Sequence, residues 1–302
     1  MLAEANRATP ASVRVYYAEV YREMRAAGYT AVGEFHYLGA PEAFAAAEAA
    51  SDADIEIVVL HVAYERGGLD RMRQSSVAAY LAEVEALREA GIAVGVAPHS
   101  VRACSREWLE EIGRYAEREG LPLHIHADEQ PREIQECLEE HDCRPIELLA
   151  DTGCLTALTT IIHATHANDD ELDHVADAGA RICACPTTEA DLGDGFLRVS
   201  AVRDRSIPLC IGSDSNMRID PLEELRELEG IARRQTGTRG VIPTDDLLAI
   251  GTSEGANALQ LRRWDAIEID LGHVSLSGVA AEHVPAALIA GCGSDVVRAE
   301  PS

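Results

Sequence analysis

LPLHIHADEQ, residues 121–130, is a short apolar run that ends in a cluster of polar residues. An apolar run of this length between helical patterns indicates a buried strand of a parallel sheet. Successive residues of a strand face opposite sides, so His124 and His126 share one face, and Glu129 follows in the turn beyond. Barrel enzymes build their sites at the carboxyl ends of such strands. This stretch therefore predicts a strand that carries functional residues at its end.

Six other apolar runs have the same form and alternate with segments of helical composition. The helical segments lie at 75–90, 105–119, 131–141 and 169–178, and a further helix at 12–27 opens the chain. Strands that alternate with helices predict parallel βαβ units. The runs are YTAVGEF (29–35), IEIVVLHV (55–62), IAVGVAP (92–98), LTTIIHA (158–164), ARICACP (180–186) and IPLCIGS (207–213).

Polar residues at the strand ends favour an α/β fold of the (β/α)8 TIM barrel type over a doubly wound sheet. Seven strands are visible where a barrel has eight, and the chain opens with a helix, so we predict that the first strand is missing. Helices are also predicted at 221–235 and 244–257, followed by a weak strand at 267–269 and a loose apolar tail. The polar residues are His36, His99, His126 with Glu129, His163, Thr187 with Glu189, and Asp214.

The charge balance limits the partners of this chain. It has 302 residues, of which 52 are acidic and 26 basic, and every basic residue is arginine. A net charge of −26 repels phosphate and argues against nucleic acid. No apolar run approaches the roughly 20 residues of a membrane-spanning helix, and the eight cysteines form no CxxC pair. These features predict a cytoplasmic protein with reduced thiols and no membrane partner.

His126, His163 and Asp214 end three of the predicted strands and suit a metal site. A neutral imidazole is a good zinc ligand, and a carboxylate at Glu129 or Asp214 can accept a proton from water. Each residue also has a structural explanation, since a lone buried histidine is more often a packed core residue and Asp214 can cap the next helix. Three such residues at three strand ends favour the functional interpretation.

Seven motifs between Tyr17 and Asn257 resemble the amidohydrolase superfamily and, within it, the formimidoylglutamate deiminases, also called N-formimino-L-glutamate iminohydrolases. The loop CPTTEADLGDG is the most discriminating motif, because general deaminases of the superfamily differ there. The motifs are GYTAVGEFHYL (28–38), APHSVRA (97–103), HIHADEQ (124–130), RPIELL (144–149), HATH (163–166), CPTTEADLGDG (185–195) and IGSDS (211–215).

The resemblance implies a barrel that holds one divalent metal ion, usually zinc. It implies hydrolysis of N-formimidoyl-L-glutamate to N-formyl-L-glutamate and ammonia, a step of histidine degradation. His126 and Asp214 would be metal ligands, and Asp214 would also be the base toward the hydrolytic water. Glu129 and His163 would shuttle protons to the leaving amine.

The resemblance also implies where the substrate binds. Arg102 and Tyr37 would anchor it, and His99 would line the same pocket. Arg102 suits this role on its own chemistry, because a planar guanidinium can hold a carboxylate through two hydrogen bonds. The alternative, which the sequence supports equally, is that Arg102 is an ordinary surface arginine after a strand.

The chain departs from the family pattern at its start. The family's first strand ends in an HxH pair that supplies two metal ligands, whereas the HxH of this chain, 124–126, belongs to the fifth strand. We therefore expect a truncated start, weakened binding of the divalent ion and an open barrel. The expected domains are an incomplete barrel at 1–260, and a remnant of the family's terminal β-sandwich with a tail at 261–302.

Three functions stay open at this point. The first is the deiminase, with an acidic amino-acid derivative as its small-molecule partner. A homodimer is one assembly that is compatible with this function. The second is a non-catalytic or partner-dependent remnant. The third is another metal-dependent deaminase, acting on a purine, pyrimidine or guanidino compound. Arg102 argues against the third, because a neutral heterocycle needs no carboxylate anchor.

Overall fold

A sheet of seven parallel strands forms the centre of the computed structural model, which describes residues 6–298. Each strand pairs with the next one along the chain, so the spatial order equals the chain order. This confirms the seven predicted strands and the α/β class. The strands are β1 (Ala31–His36), β2 (Glu56–Ala63), β3 (Val94–Pro98), β4 (Leu123–Ala127), β5 (Thr159–His163), β6 (Arg181–Ala184) and β7 (Leu209–Ile211).

Helices connect these strands, and their ends follow ordinary capping chemistry. Thr9 and Ser12 form a capping box at the start of α1, and Gly120 ends α4 in the left-handed region at φ +66°. None of the helices within residues 6–298 is both long and apolar enough to cross a bilayer. The helices are α1 (Pro10–Ala26), α2 (Ala40–Asp52), α3 (Val77–Glu89), α4 (Arg106–Glu119), α5 (Pro131–His141), α6 (Pro145–Asp151), α7 (Asp169–Asp177), α8 (Pro186–Leu192), α9 (Val199–Asp204), α10 (Pro221–Thr236), α11 (Thr244–Ile250), α12 (Ser253–Ala258) and α13 (Val284–Gly291).

The core lies on both faces of the sheet. Every residue of β3, β4 and β5 is buried, as expected for parallel strands that are covered on both sides. The amphipathic helix α4 packs on the outer face through Leu109, Ile112 and Ala116. Burial on both faces explains why these strands are continuous apolar runs in the sequence, without the alternation of a half-exposed strand.

β1 and β7 are the two edges of the sheet. In the part of the chain that the structure describes, β1 pairs with β2 alone and β7 pairs with β6 alone. Hydrogen bonds between strands therefore do not close the barrel across this gap within residues 6–298.

The segment after β7 differs from the prediction in one respect. A single helix at 244–257 is wrong, because α11 ends at Ile250 and α12 begins at Ser253. Gly251 lies between them, and a Cβ there would come within 2.9 Å of Leu225, so close packing against α10 fixes this junction. The weak strand is present as β8 (Glu268–Ile269), paired antiparallel with β9 (Val297–Arg298). The domain boundary at residue 260 stays a prediction.

A buried ionic network fixes the loops that follow β4 and β5. Arg144 donates from Nε to the Glu171 carboxylate at 2.6 Å and from Nη2 to the carbonyl oxygen of His166 at 2.8 Å. Its Nη2 also lies 3.4 Å from Asp128 Oδ1. Glu171 and Asp128 are both fully buried. The pKa of Asp128 is raised, because burial and the neighbouring Glu171 carboxylate disfavour its charged form.

Replacing Arg144 by methionine should lower the free energy of unfolding by about 3–5 kcal/mol, because Glu171 then stays buried without a cation. Chemical denaturation measures this change. Arg132 is a matched control, since it pairs with Glu136 on the exposed side of α5. Arg132→Met should change the stability by less than about 0.5 kcal/mol. Equal losses in the two variants would contradict a structural role for the buried network.

Candidate metal centre and active site

Three side chains meet at the carboxyl end of the sheet. His126 ends β4, His163 ends β5 and Asp214 follows β7, and their ligand atoms all lie within 4.8 Å of one another. His126 Nε2 lies 3.8 Å from Asp214 Oδ1. The structure thus brings together both predicted metal ligands and adds His163 beside them, a residue that the sequence had suggested for proton transfer.

The orientation of His126 is fixed by its other ring nitrogen. Its Nδ1 lies 3.0 Å from the main-chain oxygen of His99, which can only accept a hydrogen bond. Nδ1 therefore carries the proton, and the free lone pair of Nε2 faces Asp214. The ring stacks on His99 at 4.9 Å between centroids and meets the ring of Phe35 edge-on at 4.6 Å.

His163 is held in an unusual backbone conformation. Its φ is +75°, and the next residue, Ala164, has φ +52°. Such conformations are costly for residues other than glycine and gather at functional sites. Nδ1 lies 3.3 Å from Oε1 of Glu189, and both side chains are buried. Burial lowers the pKa of His163, but the hydrogen bond and charge of Glu189 outweigh it, so the pKa is raised.

Asp214 is a carboxylate at neutral pH. Burial by itself would raise its pKa, but the neighbouring imidazoles of His126 and His163 lower it below the usual value. An ionised carboxylate can accept a proton or bind a cation. Asp214 also lies at positive φ, +41°, three residues after the end of β7.

These donors fit a divalent metal ion in chemical type. Two imidazoles and a carboxylate are common zinc ligands, and a catalytic zinc site has three protein ligands and one open position. The Nε2 atom of His163 is buried and has no hydrogen-bond partner among the described residues, so it is available either to a metal ion or to a substrate. The donor set therefore suits zinc, while the identity of the ion stays a prediction.

Glu129 and Arg102 lie next to this cluster. Glu129 Oε1 is 3.9 Å from His163 Nε2, and Glu129 Oε2 is 3.5 Å from Arg102 Nη2. The turn that carries Glu129 depends on Asp128, which has φ +55°. A carboxylate between an imidazole and a guanidinium can move protons and can also be displaced by another anion. Both residues were predicted for this site from the sequence.

Aromatic rings form one wall of the site. Tyr37 lies 5.9 Å from His99 and 5.5 Å from Phe35, measured between ring centroids. Tyr64, at the end of β2, lies 4.6 Å from His99. Burial, together with nearby histidines and Arg102, holds the pKa of His99 well below its usual range, so the ring is neutral at pH 7. The structure brings Tyr37 and His99 to the site as predicted.

Phe35 and Tyr64 were not identified from the sequence. Both lie in or directly after apolar runs, where an aromatic residue is usually part of the core. His124 shows the opposite outcome, because it shares a strand face with His126 but is satisfied elsewhere. Its Nε2 bonds the main-chain oxygen of Ala258 at 3.0 Å, and burial lowers its pKa to about 4. His124 is thus a packed core histidine.

Comparisons with known proteins agree with the fold. The family model described as Amidohydrolase family matches residues 2–269. The formimidoylglutamate deiminase of Pseudomonas aeruginosa is 32% identical over 268 residues, which is 81% of this chain and 59% of the relative. A 5-methylthioadenosine/S-adenosylhomocysteine deaminase of Halobacterium salinarum is 31% identical over 178 residues, 58% of this chain and 41% of the relative. The chain therefore spans about half the length of these relatives.

A solved structure supports the same architecture. The crystal structure of an adenosine deaminase from Xanthomonas campestris with bound zinc superposes with a TM-score of 0.87. The alignment covers 96% of this chain and 68% of that one, at 22% identity. At this identity the match supports the fold alone, which is the α/β barrel type predicted from the sequence.

Zinc binding tests the metal centre. The wild-type chain is expected to take up one equivalent of Zn²⁺, and Asp214→Asn or His126→Ala should weaken binding by about 100-fold, because each removes a donor. Competition with a chromophoric zinc chelator measures the affinities. His174→Ala is the control, since His174 is exposed on α7 and should leave the affinity unchanged. Equal affinities in all variants would place the metal elsewhere.

Proposed function

We propose that this chain, which belongs to the amidohydrolase family, hydrolyses N-formimidoyl-L-glutamate to N-formyl-L-glutamate and ammonia. The observation that carries the proposal is the position of Arg102 and Glu129 beside the cluster of His126, His163 and Asp214. A proton-transfer group and an anion-binding group thus flank one candidate metal site. The 32% identity to the Pseudomonas aeruginosa deiminase supports the same substrate.

A divalent ion held by His126 and Asp214, with His163 next to them, would supply a Lewis acid that acidifies water. Zinc is supported by the donor types of these three residues. The main-chain oxygen of His99 accepts a hydrogen bond from Nδ1 of His126, and this bond orients the ring so that Nε2 can bind the ion.

In the proposed reaction, water adds to the amidine carbon and the bond from that carbon to the terminal nitrogen breaks. Asp214, ionised at neutral pH, accepts a proton from the water. Glu129 and His163 deliver protons to the nitrogen that leaves as ammonia. Their separation of 3.9 Å allows a proton to pass between them after a small movement or through one water molecule.

Substrate choice depends on Arg102. Its guanidinium would bind a carboxylate of the glutamate part, while Tyr37 and His99 line the neighbouring wall. A second candidate is deamination of an adenosine derivative, which the Halobacterium salinarum relative favours by its name. 5′-Methylthioadenosine has no carboxylate and would make no use of Arg102, whereas S-adenosylhomocysteine has one. Arg102 therefore argues against the first of these substrates only, and the 32% identity over 81% of the chain favours the acidic amidine.

A non-catalytic or partner-dependent role is the third candidate. It follows from the expectation that the divalent ion is held by few ligands. This candidate is distinguished from the other two by turnover and not by binding, since a remnant can retain the anion-binding arginine.

Ammonia release from N-formimidoyl-L-glutamate should be detectable with zinc and should exceed release from 5′-methylthioadenosine. Glu129→Gln should lower kcat by about 10²- to 10⁴-fold, the usual effect of losing a proton-transfer group. Arg102→Lys should raise KM by about tenfold with less effect on kcat, because it keeps the charge but loses the two-pronged hydrogen bond. A coupled glutamate dehydrogenase assay follows the ammonia.

Arg132→Lys is the matched control for Arg102→Lys, since Arg132 is exposed on α5 and should leave KM unchanged. Turnover of 5′-methylthioadenosine or S-adenosylhomocysteine without turnover of the acidic amidine would favour the adenosine reaction. Absence of turnover with any of these three substrates, at full zinc occupancy, would favour the non-catalytic role.

A further inference from the structure

Glu133 is a fully buried carboxylate next to the candidate site, on the first turn of α5. Its Oε2 accepts a hydrogen bond from the main-chain N–H of Glu129 at 3.1 Å. Its Oε1 lies 3.6 Å from Nε of Arg102, and neither of these two atoms has a hydrogen-bond partner among the described residues. Glu133 therefore contacts both the main chain of the proton-transfer residue and the anion-binding side chain.

Arg102 lies between two carboxylates without a close bond to either. Nη2 is 3.5 Å from Glu129 and Nε is 3.6 Å from Glu133, whereas charge-assisted hydrogen bonds are about 2.7–2.9 Å. About one third of its side chain, 34%, remains exposed. The guanidinium is thus loosely shared and is open to a third, better-placed carboxylate.

Helix capping does not account for this arrangement. A glutamate on the first turn that reaches back to a preceding N–H group is an ordinary cap, and it works on a solvent-exposed helix end. Here the same carboxylate is buried against Arg102, and burial raises its pKa to about 7 despite the opposing effect of that arginine. Burying this carboxylate is energetically unfavourable, and the fold nevertheless keeps Glu133 buried here.

We propose that Glu133 is a positioning residue that sets the specificity of the site, because it holds Arg102 as the internal carboxylate with which a substrate carboxylate must compete. The inference rests on the proposed function only in taking a substrate carboxylate as the competitor. A substrate carboxylate that accepts two hydrogen bonds from Arg102 can displace the contact between Arg102 and Glu133, whereas a neutral or weakly anionic molecule cannot. Glu133 thus rejects poor anions and is not itself a catalytic residue.

Glu133→Gln removes the competing charge and keeps an oxygen for the Glu129 N–H group. Binding of glutarate, a dicarboxylate that does not react, should therefore tighten by about threefold to tenfold. Calorimetry on the full chain at pH 8 measures the affinity. Glu139→Gln is the matched control, because Glu139 lies on the same helix, is exposed and carries the same charge. It corrects for the loss of one charge from a chain of net charge −26.

Arg102→Gln should weaken glutarate binding by at least about tenfold, which assigns the anion to this arginine. Glutarate affinity of Glu133→Gln equal to or weaker than that of Glu139→Gln would overturn the inference, as would absence of glutarate binding by the wild-type chain. If Glu133→Gln does not fold, Glu133→Asp replaces it, since its shorter side chain withdraws the charge from Arg102. Tightened binding then supports the inference, and unchanged binding overturns it.

Failure of the proposed function has a different signature. A chain that releases no ammonia from N-formimidoyl-L-glutamate, but binds glutarate more tightly after Glu133→Gln, supports the inference and contradicts the reaction. A chain that turns over the amidine, but whose glutarate affinity does not respond to Glu133→Gln, supports the reaction and contradicts the inference.

Discussion

Parallel pairing of consecutive strands is the constraint on which the site depends. Because β4, β5, β6 and β7 run in one direction and pair in chain order, all their carboxyl ends lie at one rim. Residues far apart in the sequence, such as His126 and Asp214, thereby come within 3.8 Å. The register matters as much as the direction, since a shift of one residue would turn each of these side chains to the opposite face. The candidate metal centre therefore depends on the order and register of the strands.

Acidic and basic side chains alternate along the rim of the sheet, and this alternation reduces the repulsion between them. Glu133, Arg102, Glu129, His163 and Glu189 follow one another as acid, base, acid, base and acid, with separations of 3.3–3.9 Å. Buried groups of like charge would repel strongly at such distances, but each acid here has a cationic or protonatable neighbour. The contacts are longer than close hydrogen bonds. The site thus keeps its charges paired while leaving each of them available to a ligand.

The sequence predicts the strands and the residues at their ends well, for a physical reason. A strand buried on both faces must be a continuous apolar run, and a polar residue that ends it is conspicuous, as His163 and Asp214 are. Glu133 could not be found in this way, because a glutamate early in an acidic helix is usually solvated. Its burial comes from the contact with Arg102, which follows a different strand and lies 3.6 Å away in the fold. The break at Gly251 likewise depends on packing against α10, which a local pattern does not contain.

The two unpaired sheet edges affect how copies of the chain associate in solution. β1 and β7 each present main-chain donors and acceptors that pair with no further strand within residues 6–298, and such edges template association with other chains. A net charge of −26 opposes this by keeping copies apart at low ionic strength. Salt shortens the reach of that repulsion to about 3 Å at 1 M, less than the spacing between adjacent strands. We therefore expect any self-association through these edges to increase with salt concentration.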